Sequence, residues 1–111
     1  MKLISSQEAI KEDKILGYIL SNHAKKRMKQ RAITREAISN VLIYGRLYYV
    51  RGCQLFVIGR KEISENKKHE IDIEKYSGTH VLCSKDNAII TCYRSKQLNN
   101  HYFYKKKVAN Y

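Results

Sequence analysis

The hydrophobic pattern of this chain changes period at Gly45. Between residues 20 and 44, apolar residues recur every third or fourth position, which is the spacing of helices that bury one side. From Arg46 onward, short aliphatic and aromatic runs are separated by turn residues, as in β-strands. The order predicts an α+β fold, in which N-terminal helices pack on one face of a twisted antiparallel sheet of four or more strands.

The first helix is predicted between Ser21 and Ala32. Ser21 or Asn22 can accept a hydrogen bond from the first helical turn, and no Gly, Pro or β-branched residue interrupts the stretch that follows. Three cationic or titratable residues recur at every fourth position: His23, Arg27 and Arg31. They therefore form one row along the helix, beside the apolar row that is expected to face the core. A second helix is predicted after the N-cap Thr34 and ends at Gly45.

Two β-hairpins are predicted in the second half of the chain. Residues 47–50 and 55–58 are the strands of the first, and residues 79–84 and 88–93 are those of the second. Asp86-Asn87 is expected to form a tight turn. A turn centred there pairs His80 with Tyr93 and Leu82 with Thr91, which places His80, Thr91 and Tyr93 on one face of the sheet.

The remaining segments are less strongly patterned. Residues 1–17 are expected to be a leader or a short helix around Gln7 to Leu16, and residues 18–111 a single basic domain. Tyr18-Ile19-Leu20 is expected to form a short strand. Residues 60–78 are charged and mixed, which predicts a solvated connection of one helical turn plus a loop. No element is assigned after Gln97.

The charge of the chain favours a polyanionic partner. Lys and Arg number 22 against 10 Asp and Glu, a formal net charge of +12. The excess lies in residues 18–51, with eight basic residues and one acid, and in residues 93–111, with five basic residues and no acid. Nucleic acid, an anionic membrane surface and an acidic protein all remain possible partners. No segment approaches the roughly 20 apolar residues of a membrane span, and we expect a soluble protein.

No metal or cofactor is expected. The three cysteines lack Cys-x-x-Cys spacing and lie among β-formers, which favours buried free thiols over a zinc site or a disulfide framework. Gly-rich phosphate loops, nucleophile elbows and His-Glu-x-x-His motifs are absent from the sequence.

The chain does contain the groups that cleave a phosphodiester without a metal: a base, cations for the phosphate oxygens and an acid. His23 suits the base, because imidazole transfers protons near neutral pH. Arg27 and Arg31 suit bidentate phosphate binding. Thr91, Tyr93 and Arg94 can add a hydroxyl contact, a stacking or acidic group and another cation. The alternative is structural: His23 caps its helix, the arginines coat the surface, and Thr91, Tyr93 and His80 are sheet residues.

Two motifs resemble a small bacterial family of unknown function. They are His23-Ala24-Lys25-Lys26-Arg27-Met28-Lys29-Gln30-Arg31 and Ile90-Thr91-Cys92-Tyr93-Arg94, and the likeness extends over roughly residues 18–96. Families of this appearance are grouped with the barnase, EndoU, colicin and RelE ribonuclease fold. The resemblance implies metal-independent RNA cleavage, and an inhibitor protein over the active cleft. His23, Arg27, Thr91, Tyr93 and Arg94 match the motifs; Asn87 stands where Gly is common, and His80 lies outside the pattern.

The leading hypothesis is therefore a toxin-like endoribonuclease that cuts tRNA or mRNA by 2′-hydroxyl attack, leaving a 2′,3′-cyclic phosphate. His23, Arg27, Thr91 and Tyr93 are its expected catalytic residues, and Arg31, Arg94 and His80 its expected phosphate ligands. Two alternatives remain open: a non-catalytic RNA- or ribosome-binding module, and the basic half of a pair with an acidic antitoxin or immunity protein. The expected site of action is the cytoplasm, with delivery from another cell as part of a longer secreted protein as one route.

Overall fold

A computed structural model describes residues 13–95 and confirms the α+β class. Within residues 13–95, three α-helices and one short 3-10 turn accompany a six-stranded mixed sheet. The helices are α1 (Asn22–Arg31), α2 (Arg35–Tyr44) and α3 (Arg60–Lys67), and the 3-10 turn is Glu74–Tyr76. The strands are β1 (Lys14–Ile15), β2 (Tyr18–Leu20), β3 (Arg46–Val50), β4 (Cys53–Val57), β5 (Thr79–Cys83) and β6 (Ala88–Arg94).

The N-caps of the first two helices are those the sequence predicts. The Ser21 hydroxyl accepts from the backbone N–H of Ala24 at 3.0 Å, and the Thr34 hydroxyl accepts from that of Ala37 at 3.0 Å. Helix α1 ends at Ala32, which adopts a left-handed conformation with φ 53°. Because only two residues separate α1 from the cap of α2, the left-handed turn at Ala32 sets the angle between the two helices.

The sheet order is β1-β2-β6-β5-β4-β3. The predicted register of the second hairpin is confirmed: His80 pairs with Tyr93 and Leu82 with Thr91, before a bulge between Leu82 and Cys83. The loop is one residue longer than the expected two-residue turn, because the Ser84 N–H donates to the carbonyl oxygen of Ala88 at 2.8 Å and Lys85, Asp86 and Asn87 lie between them. The bulge compensates for the extra residue and restores the predicted pairing. Asn87 takes φ 63° in this loop. The sheet is not wholly antiparallel, because β2 runs parallel to β6, with Ile19 opposite Ala88.

The core lies between one face of the sheet and helices α1 and α2. It includes Ile38 and Val41 of α2, and Val81 and Cys92 of the central strands, all with no exposed surface. Each such aliphatic side chain contributes about 1.5–3 kcal/mol by leaving water. Since α1 packs along β6, the core fixes the position of its polar row relative to that strand.

Two segments differ from the sequence prediction. Residues 60–78 contain a two-turn helix, α3, and the 3-10 turn, whereas the sequence predicts one helical turn plus a loop. Helix α3 has no buried residue, so no apolar stripe marks it in the sequence. Lys14–Ile15 is a strand, so the expected helix ending at Leu16 is wrong there. Residues 1–12 and the tail after Gln97 lie outside the described residues. No helix within residues 13–95 is long and apolar enough to cross a membrane.

Candidate functional site

Helix α1 and strand β6 lie side by side and run in the same direction. At the start of the helix, the Ser21 N–H donates to the carbonyl oxygen of Ile89 at 3.1 Å, and its hydroxyl donates to that of Ile90 at 3.2 Å. At the end, Arg31 and Arg94 join the same two elements. We call this boundary the α1–β6 seam. It brings together the two sequence motifs that are about sixty residues apart in the chain.

The row on α1 begins with a contact between His23 and Arg27. The Nε of Arg27 donates to Nε2 of His23 at 3.2 Å, and its Nη1 donates to Oε1 of Gln30 at 3.1 Å. Nε2 therefore carries no proton in this contact. His23 is exposed and Arg27 half-buried. An incoming phosphate can compete for the Arg27 guanidinium, because its charge makes the stronger hydrogen bond.

Arg31 and Arg94 connect the two elements through backbone carbonyls. Arg31 donates from Nη1 to the carbonyl oxygen of Cys92 at 3.1 Å. In return, Arg94 donates to the carbonyls of Arg31 at 2.7 Å and Ala32 at 3.1 Å, which are among the orphan acceptors at the end of α1. Both side chains are therefore held in place. Each guanidinium has five N–H donors, so these bonds do not use its full capacity.

Tyr93 and His80 stack across β5 and β6. Their ring centroids are 4.7 Å apart at an interplanar angle of 19°. His80 is 2% exposed, and its Nδ1 donates to the carbonyl oxygen of Gly78 at 2.8 Å. Burial lowers the pKa of His80, and the Gly78 hydrogen bond raises it by less. Burial also raises the pKa of the Tyr93 hydroxyl, while the nearby Arg31 charge lowers it by less. Tyr93 thus remains protonated, as a donor.

An open cleft of about 710 Å³ lies at the end of β6. It is lined by Arg31, Tyr93, Arg94 and Ser95, and we call it the strand-end cleft. Two guanidinium groups and a protonated phenol suit it to an anion. Arg31 comes from the helix motif, and Tyr93 and Arg94 come from the strand motif. The two predicted halves of the site therefore meet at this end of the seam.

The other predicted residues do not all join the strand-end cleft. His23 and Arg31 are eight residues apart on α1, which is about 12 Å along the helix axis. The expected base and the expected acid, Tyr93, thus lie toward opposite ends of the seam. Thr91 is half-buried on the same strand face as Tyr93. His80 is buried beneath Tyr93, a position that supports the ring better than it contacts a phosphate.

Sequence reasoning missed Gly78 and Ser95. The Gly78 carbonyl accepts from both His80 and the Ser95 N–H, the latter at 2.9 Å. Gly78 has φ +80°, and a Cβ there would lie 2.6 Å from the Ser95 carbonyl oxygen. Only glycine fits this contact. The fixed pair positions both the Tyr93–His80 stack and the rim of the strand-end cleft. In the sequence, the one clue to this contact is that a glycine directly precedes β5.

The three thiols are free. Cys83 and Cys92 are buried and Cys53 is half-buried. Burial raises the pKa of Cys83 to about 12, with a smaller contribution from Cys53. It raises that of Cys92 as well, against the opposing charges of Arg31 and Arg94. Among residues 13–95, no group of His, Cys, Asp and Glu side chains is arranged to hold a metal ion.

Residues 20–94 match the family model described as a domain of unknown function, DUF4258. The chain belongs to this family, and the match extends from the end of β2 to the end of β6. No curated protein and no solved structure matches the chain. The family membership agrees with the predicted resemblance to a family of unknown function; the wider likeness to the barnase, EndoU, colicin and RelE ribonucleases stays a prediction.

Proposed function

We propose that this protein is a metal-independent endoribonuclease that binds RNA along the α1–β6 seam. The observation that carries the proposal is the convergence of Arg31, Tyr93 and Arg94 on one open cleft, at the end of a helix that also presents His23 and Arg27. Three guanidinium groups and the His23 imidazole thus lie along the α1–β6 seam. Strong basic charge on the whole chain supports an RNA substrate, either tRNA or mRNA.

The chemical step is assigned to the exposed end of the seam. A phosphate that binds Arg27 releases Nε2 of His23, which takes the proton from the ribose 2′-hydroxyl. The 2′-oxygen then bonds to phosphorus, and the bond from phosphorus to the 5′-oxygen breaks, leaving a 2′,3′-cyclic phosphate. Water supplies the proton of the leaving 5′-oxygen, since His23 is open to solvent. Tyr93 is too distant to do so, because it lies about 10 Å along β6 beyond Ile90, the residue that contacts the start of α1.

The strand-end cleft is assigned to the neighbouring nucleotide. Arg31 and Arg94 bind its phosphate, and the Tyr93 hydroxyl donates a further hydrogen bond. His80 acts on Tyr93 through the ring stack and not on phosphate directly. Thr91 lies between the two ends of the seam and is assigned a hydroxyl contact to the RNA.

A non-catalytic RNA- or ribosome-binding module is the second candidate. The observation that favours it is the structural use of Arg31 and Arg94, which hold backbone carbonyls together. With either function, the basic α1–β6 seam is a surface to which an acidic protein can bind. In the leading hypothesis this partner is an antitoxin or immunity protein. The proposed site of action is the cytoplasm, where the RNA is.

Incubation of the purified protein with total RNA in excess chelator tests the proposal. We expect cleavage products that end in a 2′,3′-cyclic phosphate, and no cleavage of RNA that carries 2′-O-methyl groups. Intact RNA in a salt-sensitive complex would support the binding module instead. Cleavage that depends on an added divalent metal would refute the mechanism.

A further inference from the structure

A second basic cleft runs along α3, on the other side of the end of β6. Its volume is about 920 Å³, and its lining includes Arg60, Ser64 and Lys67 of α3 together with Arg94 and Ser95. We call it the α3 cleft. Its α3 residues are spaced by four and three positions, so they share one side of the helix. Arg60 and Lys67 are thereby held about 10 Å apart along the helix axis.

The lining of the α3 cleft indicates the chemistry of its ligand. Among its described lining residues, three cations, Arg60, Lys67 and Arg94, outnumber one carboxylate, Glu74. Among the described residues that line the cleft, Ile63 is the one hydrophobic side chain. Exposed Arg and Lys side chains with serine hydroxyls between them are typical contacts for a phosphate backbone.

The α3 cleft and the strand-end cleft meet. Arg94 and Ser95 line both. The Arg94 guanidinium is fixed at this junction by the Arg31 and Ala32 carbonyls. Arg31, Arg94, Arg60 and Lys67 therefore form one cationic track around the end of β6, longer than a single phosphate needs.

We propose that the α3 cleft is a second subsite for the phosphate backbone of the RNA strand that occupies the strand-end cleft. Arg60 and Lys67 bind phosphates, Ser64 donates between them, and Arg94 contacts the strand at the junction. The subsite rests on the RNA-binding part of the proposed function and extends it, because it predicts a minimum substrate length. Its α3 residues lie outside the two sequence motifs but inside the stretch, residues 20–94, that matches the family model.

The test measures binding of the wild-type protein to a labelled 2′-O-methyl oligouridylate of about 12 nucleotides, a length within the range of single-strand binding sites. This probe has no free 2′-hydroxyl and stays intact. The R60Q K67Q double variant is compared with K61Q K68Q, which loses the same charge from exposed residues of α3 and its cap that do not line the cleft. Fluorescence anisotropy gives the affinity across a salt series.

We expect R60Q K67Q to weaken binding about tenfold and to reduce the slope of log affinity against log salt by about 1.4, since each single-strand phosphate contact contributes about 0.7. K61Q K68Q should keep the wild-type slope. A 5′-phosphorylated dinucleotide, which supplies only the phosphates assigned to the exposed end of the seam and to the strand-end cleft, should bind both variants equally.

Equal weakening by the two double variants would overturn the subsite and leave the proposed nuclease intact. Failure of the wild type to bind the long probe would overturn the subsite together with RNA binding. If the protein cuts no RNA, but R60Q K67Q still binds the long probe more weakly than K61Q K68Q does, the subsite is supported and only the catalytic proposal is refuted.

Discussion

The Nη1 of Arg94 lies 2.7 Å from the carbonyl oxygen of Arg31, so the last described strand holds the end of the first described helix. Arg31 returns a hydrogen bond to the strand at the carbonyl of Cys92. Two residues expected to bind phosphate are thus also structural. A substitution at either one changes both stability and anion binding, and the two effects have to be measured separately.

Replacement of Arg94 by Gln should destabilise the fold in the absence of RNA. The variant loses the charged donors to the Arg31 and Ala32 carbonyls, and we expect a loss of about 1–2 kcal/mol in the free energy of unfolding, measured with urea. Lys61→Gln, which removes one exposed charge elsewhere, should change stability by less than about 0.5 kcal/mol. Equal stability of Arg94→Gln and wild type would mean that the carbonyl contacts contribute nothing.

Gly78→Ala should be far more destabilising than Gly52→Ala. Both glycines have φ +80°, but a Cβ at Gly78 would lie 2.6 Å from the Ser95 carbonyl oxygen, whereas nothing lies within 4 Å of one at Gly52. We expect a loss of about 1–2 kcal/mol at Gly52 from the left-handed conformation alone. At Gly78 the steric overlap adds about 1–3 kcal/mol, again read from urea unfolding. Equal losses would show that the backbone at Ser95 moves away freely.

The stability of the protein should fall in acid partly because of His80. Burial holds the pKa of His80 below its ordinary value of 6.5, so the unfolded chain binds the proton more tightly than the folded one. Stability is therefore lost as the pH falls through 6.5 toward the folded value, and each unit between the two pKa values is worth about 1.4 kcal/mol. Between about pH 7.5 and pH 5, His80→Gln should lose less stability than wild type. His69→Gln, at an exposed position, should behave as wild type; an unchanged pH dependence in His80→Gln would contradict the account of this residue.

Thiol labelling should separate the three cysteines. Cys53 is half-buried, whereas Cys83 and Cys92 have no exposed surface and burial raises the pKa of both thiols. We expect maleimide near neutral pH to modify Cys53 alone in the native protein, and all three after denaturation. Mass spectrometry of the intact and digested protein gives the count and the positions. Rapid labelling of Cys83 without unfolding would contradict the described core.

The sequence predicts the local structure of this protein better than its long-range pairing. The caps at Ser21 and Thr34 follow from side-chain chemistry within a few residues and are confirmed. The register of His80 with Tyr93 is also confirmed, although a three-residue loop and a bulge produce it in place of the expected two-residue turn. The parallel pairing of β2 with β6 joins a three-residue strand to one almost seventy residues later, and no local pattern encodes it. Helix α3 escapes prediction because it buries no residue.

The sequence predicts the part of the candidate site that depends on local structure. Helical spacing puts Arg31 beside the core, and the hairpin register fixes the face of Tyr93, so their approach follows from local rules once α1 packs on β6. The distance of roughly 12 Å between His23 and Arg31 also follows from helix geometry. The separation of the expected base, His23, from the expected acid, Tyr93, does not, because it depends on how β6 lies against α1. Gly78 and Ser95 meet through backbone atoms, which a sequence does not reveal.

The central claim is that His23 acts as the base of an RNA-cleaving site. The most direct measurement is kcat/KM for RNA cleavage in excess chelator by wild type, His23→Ala and the control His69→Ala. We predict a loss of about 100- to 10,000-fold for His23→Ala, the usual contribution of a general base, with wild-type activity for His69→Ala. Equal cleavage by all three proteins would contradict the account.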